Sequence, residues 1–365
     1  MPGSHDNYVE PRHTLSLPGE AQTHSSTTAN QYPLDMDRVD LTVIGGGPVG
    51  LFAAFYAGMR GMSVRIIDSL PELGGQLSAL YPEKYVFDMP GFPQVLARDL
   101  AADMIRQGTQ FSPEIVLEET ASGLERDGGN WCVIGAGGRR YPTSTLLISA
   151  GAGAFSPTKL GVEREDEFLG KGLSYGVKSK LEFEGKRIAI VGGGDSAFDW
   201  ALNLHSHASE VMIIHRRDQF RAHEETVRDV TALGVKLHLW KVAKELCGTS
   251  RLEGVIVEDT QTKIQQRIDC DALIVNIGFK SSLGPIRDWG LSIEKNQILV
   301  DHLYRTNLEG VFAVGDVCNF EGKLKLIATG VGEAATAVCL AKTMIDPGSK
   351  LFPGHSSDMD QFGQG

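Results

Sequence analysis

The stretch LTVIGGGPVGLFAAFYAGMRGMSVRIID, residues 41–68, constrains the fold more than any other part of the chain. An apolar run meets a glycine-rich turn, a second apolar run of helical length follows, and a third ends on Asp68. Residues 41–59 are also 19 consecutive uncharged residues, about the length of a membrane span. Four glycines and a proline in the first ten positions instead predict a buried strand, a tight turn and a packed helix. RIAIVGGGDSAFDWALNLHSHASEVMIIHRR, residues 187–217, repeats the order. Gly45, Gly47 and Gly50 form GxGxxG, while Gly192, Gly194 and Ala197 form GxGxxA, in which a small third residue is tolerated. In both copies 23 positions separate the first glycine from the end of the second strand, at Asp68 and at His215.

The spacing has a physical cause. The first glycine turns the chain off the strand, the second lets backbone N–H groups approach a pyrophosphate, and the third lets the helix pack closely. The helix then directs its partly positive N-terminus at the phosphates. Two such units predict two dinucleotide sites. Asp68 accepts hydrogen bonds from ribose hydroxyls, which suits FAD or a similar dinucleotide with a free 2′-OH. Arg216 and Arg217 accept nothing and suit a 2′-phosphate, so the second site is expected to take NADP; plain solvated surface charges are the competing reading. Asp195 and Ser196, at the start of the second helix, belong to that site, and Arg221 is a candidate third phosphate contact. For His215 and His223 two readings stay open, packing or the adenine edge on one hand and a phosphate contact on the other.

Further apolar strands are expected at 141–153 and 271–279, and TNLEGVFAVGDV (306–317) ends a strand on Gly315-Asp316 before an apolar helix over 329–345. In an enzyme with two dinucleotides, Asp316 is placed to hydrogen-bond the ribityl chain of FAD; an ordinary turn aspartate is the competing reading. The expected fold is α/β with two Rossmann-like, three-layer ββα domains. Residues 37–153 plus 290–352 form a discontinuous FAD domain, and 154–289 an inserted NADP domain. Residues 1–36, rich in Ser, Thr, His, Pro and Gly, read as a disordered extension without the apolar core of a signal peptide, and 353–365 as a tail covering the flavin. With 35 basic against 46 acidic side chains, no nucleic-acid partner is expected. Five scattered cysteines show no metal-ligand spacing and fit a reducing cytoplasm.

Together GGGPVG, LGGQLSALYPEKYVFDMPGFP, GGGDSAFDWAL, IIHRRDQFRAHE, VNIGFKSSLGPIRDWGL and VGDVCNFEGKLKLIATGVGEA make the chain, from about residue 38 to 358, similar to the ferredoxin:NADP reductases of the thioredoxin-reductase-like type. That resemblance implies a homodimeric FAD enzyme passing electrons between NADPH and ferredoxin or flavodoxin, by hydride transfer to flavin N5 and then single electrons to an iron–sulfur protein. It implies that Val49, Asp68, Gln76, Tyr81, Ala121, Phe155, Asp316 and Ser357 line the FAD. Tyr81 then stacks on one face of the isoalloxazine, and His355, commonly from the neighbouring subunit, covers the other. No acid or base residue is required. The helix near Thr329–Glu333 is a candidate for directing its positive end at the flavin pyrimidine, or a simple packing helix.

The departures are informative. Thioredoxin reductases carry CxxC just ahead of the second glycine motif, where this chain has SYGVKSKLEFEGKR, and glutathione-reductase-like enzymes carry CxxxxC where it has LGGQLSALY. Disulfide exchange therefore lacks a nucleophile. Because the chain is itself acidic, docking an acidic ferredoxin needs a local basic surface. Lys178, Lys180, Lys186, Arg187, Lys323 and Lys325 are the candidates, each competing with a plain solvated charge. An NADPH-dependent reductase of a quinone or free flavin, and a non-catalytic dinucleotide sensor, are the alternative functions.

Overall fold

A computed structural model describes residues 37–151 and 153–355, with backbone alone at 154–156 and 279–281. The readings for residues 1–36, for Ser357 and for the end of the tail lie outside the described residues. Strand Val39–Ile44 is almost wholly buried, as a central parallel strand covered on both faces must be. It pairs in parallel with Val64–Ile67 on one side and with the end of Arg140–Ile148 on the other. Glu114–Val116 extends one edge, and Val311–Ala313 pairs in parallel with Leu146–Ile148. The first half of strand 140–148 pairs instead with an antiparallel ribbon, Asn130–Gly135 and Ala121–Asp127. One long strand thus joins two layers. Helices Pro48–Met59, Ala97–Gly108 and Ile327–Ile345 share a core with Leu41, Val43 and Ile66, while the ribbon encloses Ile44, Tyr141 and Ile148 on the other face.

The uncharged run at 41–59 is accordingly a short strand followed by a helix of 12 residues. No helix among the described residues is long and apolar enough to cross a membrane. The second sheet is all parallel, in the order Leu173–Ser174, Ala272–Val275, Arg187–Val191, Glu210–His215 and Lys236–Leu239. It has its own core around Ile188, Ile190, Phe198 and Ile213, and its own antiparallel layer, Lys241–Cys247, Gly254–Asp259 and Gln265–Asp269. The ββα plan therefore occurs twice. The chain passes between the two sheets through a two-stranded ribbon, Ala154–Pro157 against Phe279–Ser282. Leu283, Ile286 and Trp289, just beyond it, pack in the core that holds Ile44 and Ile67.

Candidate functional site

In the first unit the glycines are required by close approach. A Cβ on Gly50 would lie 1.9 Å from the Gly45 carbonyl oxygen, and one on Gly45, whose φ is +105°, would lie 2.6 Å from the Ser149 oxygen. Gly47 differs: its Cβ would meet only Gly75 Cα, at an ordinary 3.8 Å. The second glycine therefore presents open backbone. Helix 48–59 starts directly behind it with Pro48 in its first turn and no side-chain cap, so its N-terminal dipole faces the same space.

That space is a cavity of about 720 Å³, within the range of cofactor sites. It brings together Gly45, Gly47, Val49, Asp68, Gln76, Tyr81, Ala121 and Asp316. Asp68 is 8% exposed; its Oδ2 accepts the Gly46 N–H at 2.6 Å and its Oδ1 the Leu70 N–H at 2.9 Å. A carboxylate has about four acceptor sites, so acceptor capacity remains beyond these backbone bonds. Burial raises the Asp68 pKa against these backbone bonds, which lower it. Burial likewise pushes the Tyr81 phenol up, helped by the charges of Asp316 and Asp88. Tyr81 thus stays neutral, a ring presented to the cavity. Asp316 lies in the turn Gly315–Val317, where a φ of +75° at Gly315 directs the chain into the site.

Gly50 acts through packing rather than as lining, and Phe155 contributes only its described backbone, paired with Ser281. Leu283, Gly284, Pro285 and Ile286 also form a wall, as do Glu119 and Thr120. None of these was singled out in the sequence, although the Gly-Pro pair at 284–285 marks a turn there. Glu119 is held by the Ala136 N–H and the Tyr141 hydroxyl, at 2.9 and 2.8 Å. His355 is exposed, edge-on to Phe352, and is absent from the cavity lining. Arg60, at the carboxyl end of helix 48–59, binds the carbonyls of Leu351 and Lys350 at 2.8 and 2.6 Å. The phosphate turn is at the opposite end of that helix, about 18 Å away.

The second unit is open. A Cβ on Gly194 would meet nothing within 4 Å, and Arg216, Arg217 and Arg221 are exposed with no carboxylate partner among the described residues. His215 packs beneath the turn: a Cβ on Gly193 would lie 2.3 Å from its ring, and its Nε2 is 3.1 Å from the Gln219 oxygen. Burial, followed by the surrounding arginines, lowers its pKa. The His215 ring is therefore packed under the glycine turn. Asp195 Oδ1 accepts the His223 N–H at 3.0 Å, and the Arg221 N–H donates to the Gly193 oxygen at 2.7 Å, so the arginine loop is tied to the glycine turn. Ser196 is exposed at the start of helix Asp195–Leu204, the Asn276 backbone oxygen lies beside Gly192, and the Asn276 side-chain amide nitrogen is buried with no hydrogen-bond partner among the described residues. These features fit a phosphorylated nucleotide.

Among the described residues one side-chain ion pair links the two sheets' elements near the cavity. Lys84, three residues after Tyr81, pairs with Asp199 on helix 195–204 at 2.8 Å and lies over the Trp200 ring. The docking lysines need correction. Lys323 is no surface charge: its side chain is 4% exposed and pairs with Glu333, which is equally buried. Arg187 is engaged by both oxygens of Asp271. Lys178 is exposed and Lys325 borders the cavity.

The comparisons agree with this geometry. Residues 39–337 match the family model described as pyridine nucleotide-disulphide oxidoreductase. A Bacillus velezensis protein named Ferredoxin--NADP reductase 2 is 49% identical over 88% of this chain and 97% of its own. The Sulfurisphaera tokodaii Ferredoxin--NADP reductase is 48% identical over 90% and 99%. The chain belongs to this family. Thioredoxin reductase from T. acidophilum superposes with a TM-score of 0.71 at 25% identity, covering 84% of this chain and 99% of that one. The Lactococcus lactis thioredoxin reductase gives 0.70 at 26%, with the same coverage. In this family member all five cysteines are free and four are buried. The cysteine-free segment around Gly176 approaches the cavity wall, where a Cβ on Gly176 would lie 3.6 Å from the oxygen of Leu80, a lining residue.

Proposed function

We propose that the chain is an FAD-dependent oxidoreductase that passes electrons between NADPH and ferredoxin, with flavodoxin as the variant partner. The observation that carries this reading is the pairing of a large walled cavity, lined at one end by the backbone-held Asp68, with an open glycine turn flanked by Arg216 and Arg217, which have no carboxylate partner among the described residues. The names of the Bacillus and Sulfurisphaera relatives supply the acceptor. Bound FAD supplies the chemistry that converts a two-electron donor into a source of single electrons.

The chain's own residues bind, orient and exclude. Asp68 receives the ribose hydroxyls through its free acceptor sites, the Gly45–Gly50 turn and the helix behind it hold the pyrophosphate, and Asp316 takes the ribityl chain. Tyr81 stacks on the ring system, and Val49, Gln76 and Ala121 shape its pocket. On the other side Gly192, Gly194, Ser196 and Ala197 hold the NADPH pyrophosphate, with Asp195 fixing the loop that carries Arg221. Disulfide exchange is not part of this reading, because no cysteine lines the cavity.

The finer assignments belong to the same reading: a cytoplasmic homodimer, a nicotinamide-nucleotide domain inserted at residues 154–289, and a tail whose His355 and Ser357 cover the flavin of the neighbouring copy. The anchoring of residues 350–351 by Arg60, at the far end of helix 48–59, supports coverage in trans. The test is anaerobic mixing with NADPH followed by addition of an oxidised iron–sulfur ferredoxin. Loss and then recovery of flavin absorbance, with cluster reduction in step, is expected. Bleaching without transfer to ferredoxin would point to a small-molecule acceptor.

A further inference from the structure

Lys323 and Glu333 form an ion pair in which both side chains are 4% exposed. Burying two charges costs desolvation that their attraction only roughly offsets, so such a pair is weak evidence for stability. Its position is more telling. Glu333, in the second turn of helix 327–345, receives Lys323 on Oε1 and the Gly315 N–H, at 2.7 Å, on Oε2. Gly315 and its neighbour Asp316 line the cavity, as does Ile327 at the start of the same helix. Cys318 donates its thiol to the Gly315 oxygen at 3.3 Å, and burial holds that thiol neutral, its pKa pushed up to about 12. Val49, from the first phosphate turn, closes the packing: a Cβ on Gly330 would lie 2.5 Å from its Cγ2. The pair is thus the backing of the turn that carries Asp316.

We propose that Lys323 and Glu333 are a positioning pair: they fix the Gly315–Asp316 turn, and the balance of their two charges sets how readily the bound flavin accepts electrons. The inference rests on the reading of the cavity as the flavin site. Reduction adds negative charge to the flavin, and in a low-dielectric interior a nearby uncompensated charge is felt strongly. As a pair the two groups nearly cancel. Either one alone biases the flavin, in opposite directions.

The test is the flavin midpoint potential of the FAD-loaded protein, measured anaerobically by dye equilibration in four forms. Lys323→Met leaves the Glu333 carboxylate and is expected to lower the potential. Glu333→Gln keeps an amide oxygen for the Gly315 N–H, leaves the lysine cation, and is expected to raise it. Each shift should correspond to at least about a threefold change in the ratio of the dissociation constants for oxidised and reduced FAD. The double variant should return close to the wild-type potential. Two single variants that shift the same way, or that retain FAD with an unshifted potential, would overturn the proposal, since a purely structural brace carries no sign. Should a single variant lose FAD, Lys323→Arg decides: it keeps the charge and must keep the wild-type potential, and a displaced value there also overturns the proposal. Wild-type protein that binds no FAD would instead remove the cavity reading, before any variant is compared.

Discussion

The two glycine turns share a backbone device and differ in almost everything built around it. At the first, Asp68 is buried, both of its oxygens are held by backbone N–H groups, and walls from distant parts of the chain line the space. At the second, the cations are exposed with no carboxylate partner among the described residues, and the ring of His215 lies under the turn. The difference matches residence time. An anionic strand end backed by a deep, walled cavity suits a cofactor that stays through turnover, and an open, cationic one suits a cosubstrate that must leave.

The comparison can be broken at several points. The largest effect is expected from Gly50→Ala, whose methyl would sit 1.9 Å from a backbone oxygen that cannot move aside. It should cost at least about 3 kcal/mol and abolish FAD retention, whereas Ala197→Gly, at the equivalent position of the second turn, should cost only about 1 kcal/mol. Thermal melts and flavin content check both, and equal melting of the two variants would erase the distinction. Next, Arg216→Ala combined with Arg217→Ala removes contacts worth about 1.5–3 kcal/mol each, so the Kd for NADPH should rise at least tenfold with NADH little changed. Equal losses for both nucleotides would refute the 2′-phosphate assignment. Tyr81→Ala should raise the FAD dissociation constant about tenfold and alter the flavin spectrum through lost stacking and burial. An unchanged spectrum and affinity would take Tyr81 out of the site.

The smallest effect concerns the second sheet alone. The Arg187 side chain first, and its backbone N–H second, hold the Asp271 carboxyl down to about 2. The folded state therefore favours the carboxylate, and the stability it contributes is present near neutrality and lost as pH falls through the acid range toward that value. Both side chains are partly exposed, at 41% and 43%, so the contribution stays below about 1 kcal/mol. Asp271→Asn should lower the urea midpoint slightly near pH 7 and by less at about pH 3. A gap that widens in acid would contradict the sign.

Much of this was legible in the sequence because the glycine turn is a local device. Spacing alone located Gly45–Gly50 and Gly192–Ala197, and chemistry alone separated Asp68 from Arg216 and Arg217. Family resemblance brought Tyr81, Gln76 and Ala121 to one cavity, which they do line. Less legible were features made by long-range closure. The Leu283–Ile286 wall exists because the returning chain packs against the antiparallel layer near Ala121, a contact no local pattern encodes. Lys323 follows Gly322 in a polar turn and reads as a surface charge; its partner is ten residues on, in a helix, outside the helical pairing distance that patterns reveal. His215 was ambiguous for a similar reason, since only the folded turn places Gly193 over its ring.

The central claim is that the two cradles divide their guests by charge, and nucleotide fragments test it most directly. Calorimetric titration of the FAD-loaded protein with 2′,5′-ADP and with 5′-ADP should show the first binding at least about tenfold more tightly, with the flavin fully retained. Equal affinity for the two fragments, or displacement of FAD by either, would contradict the account.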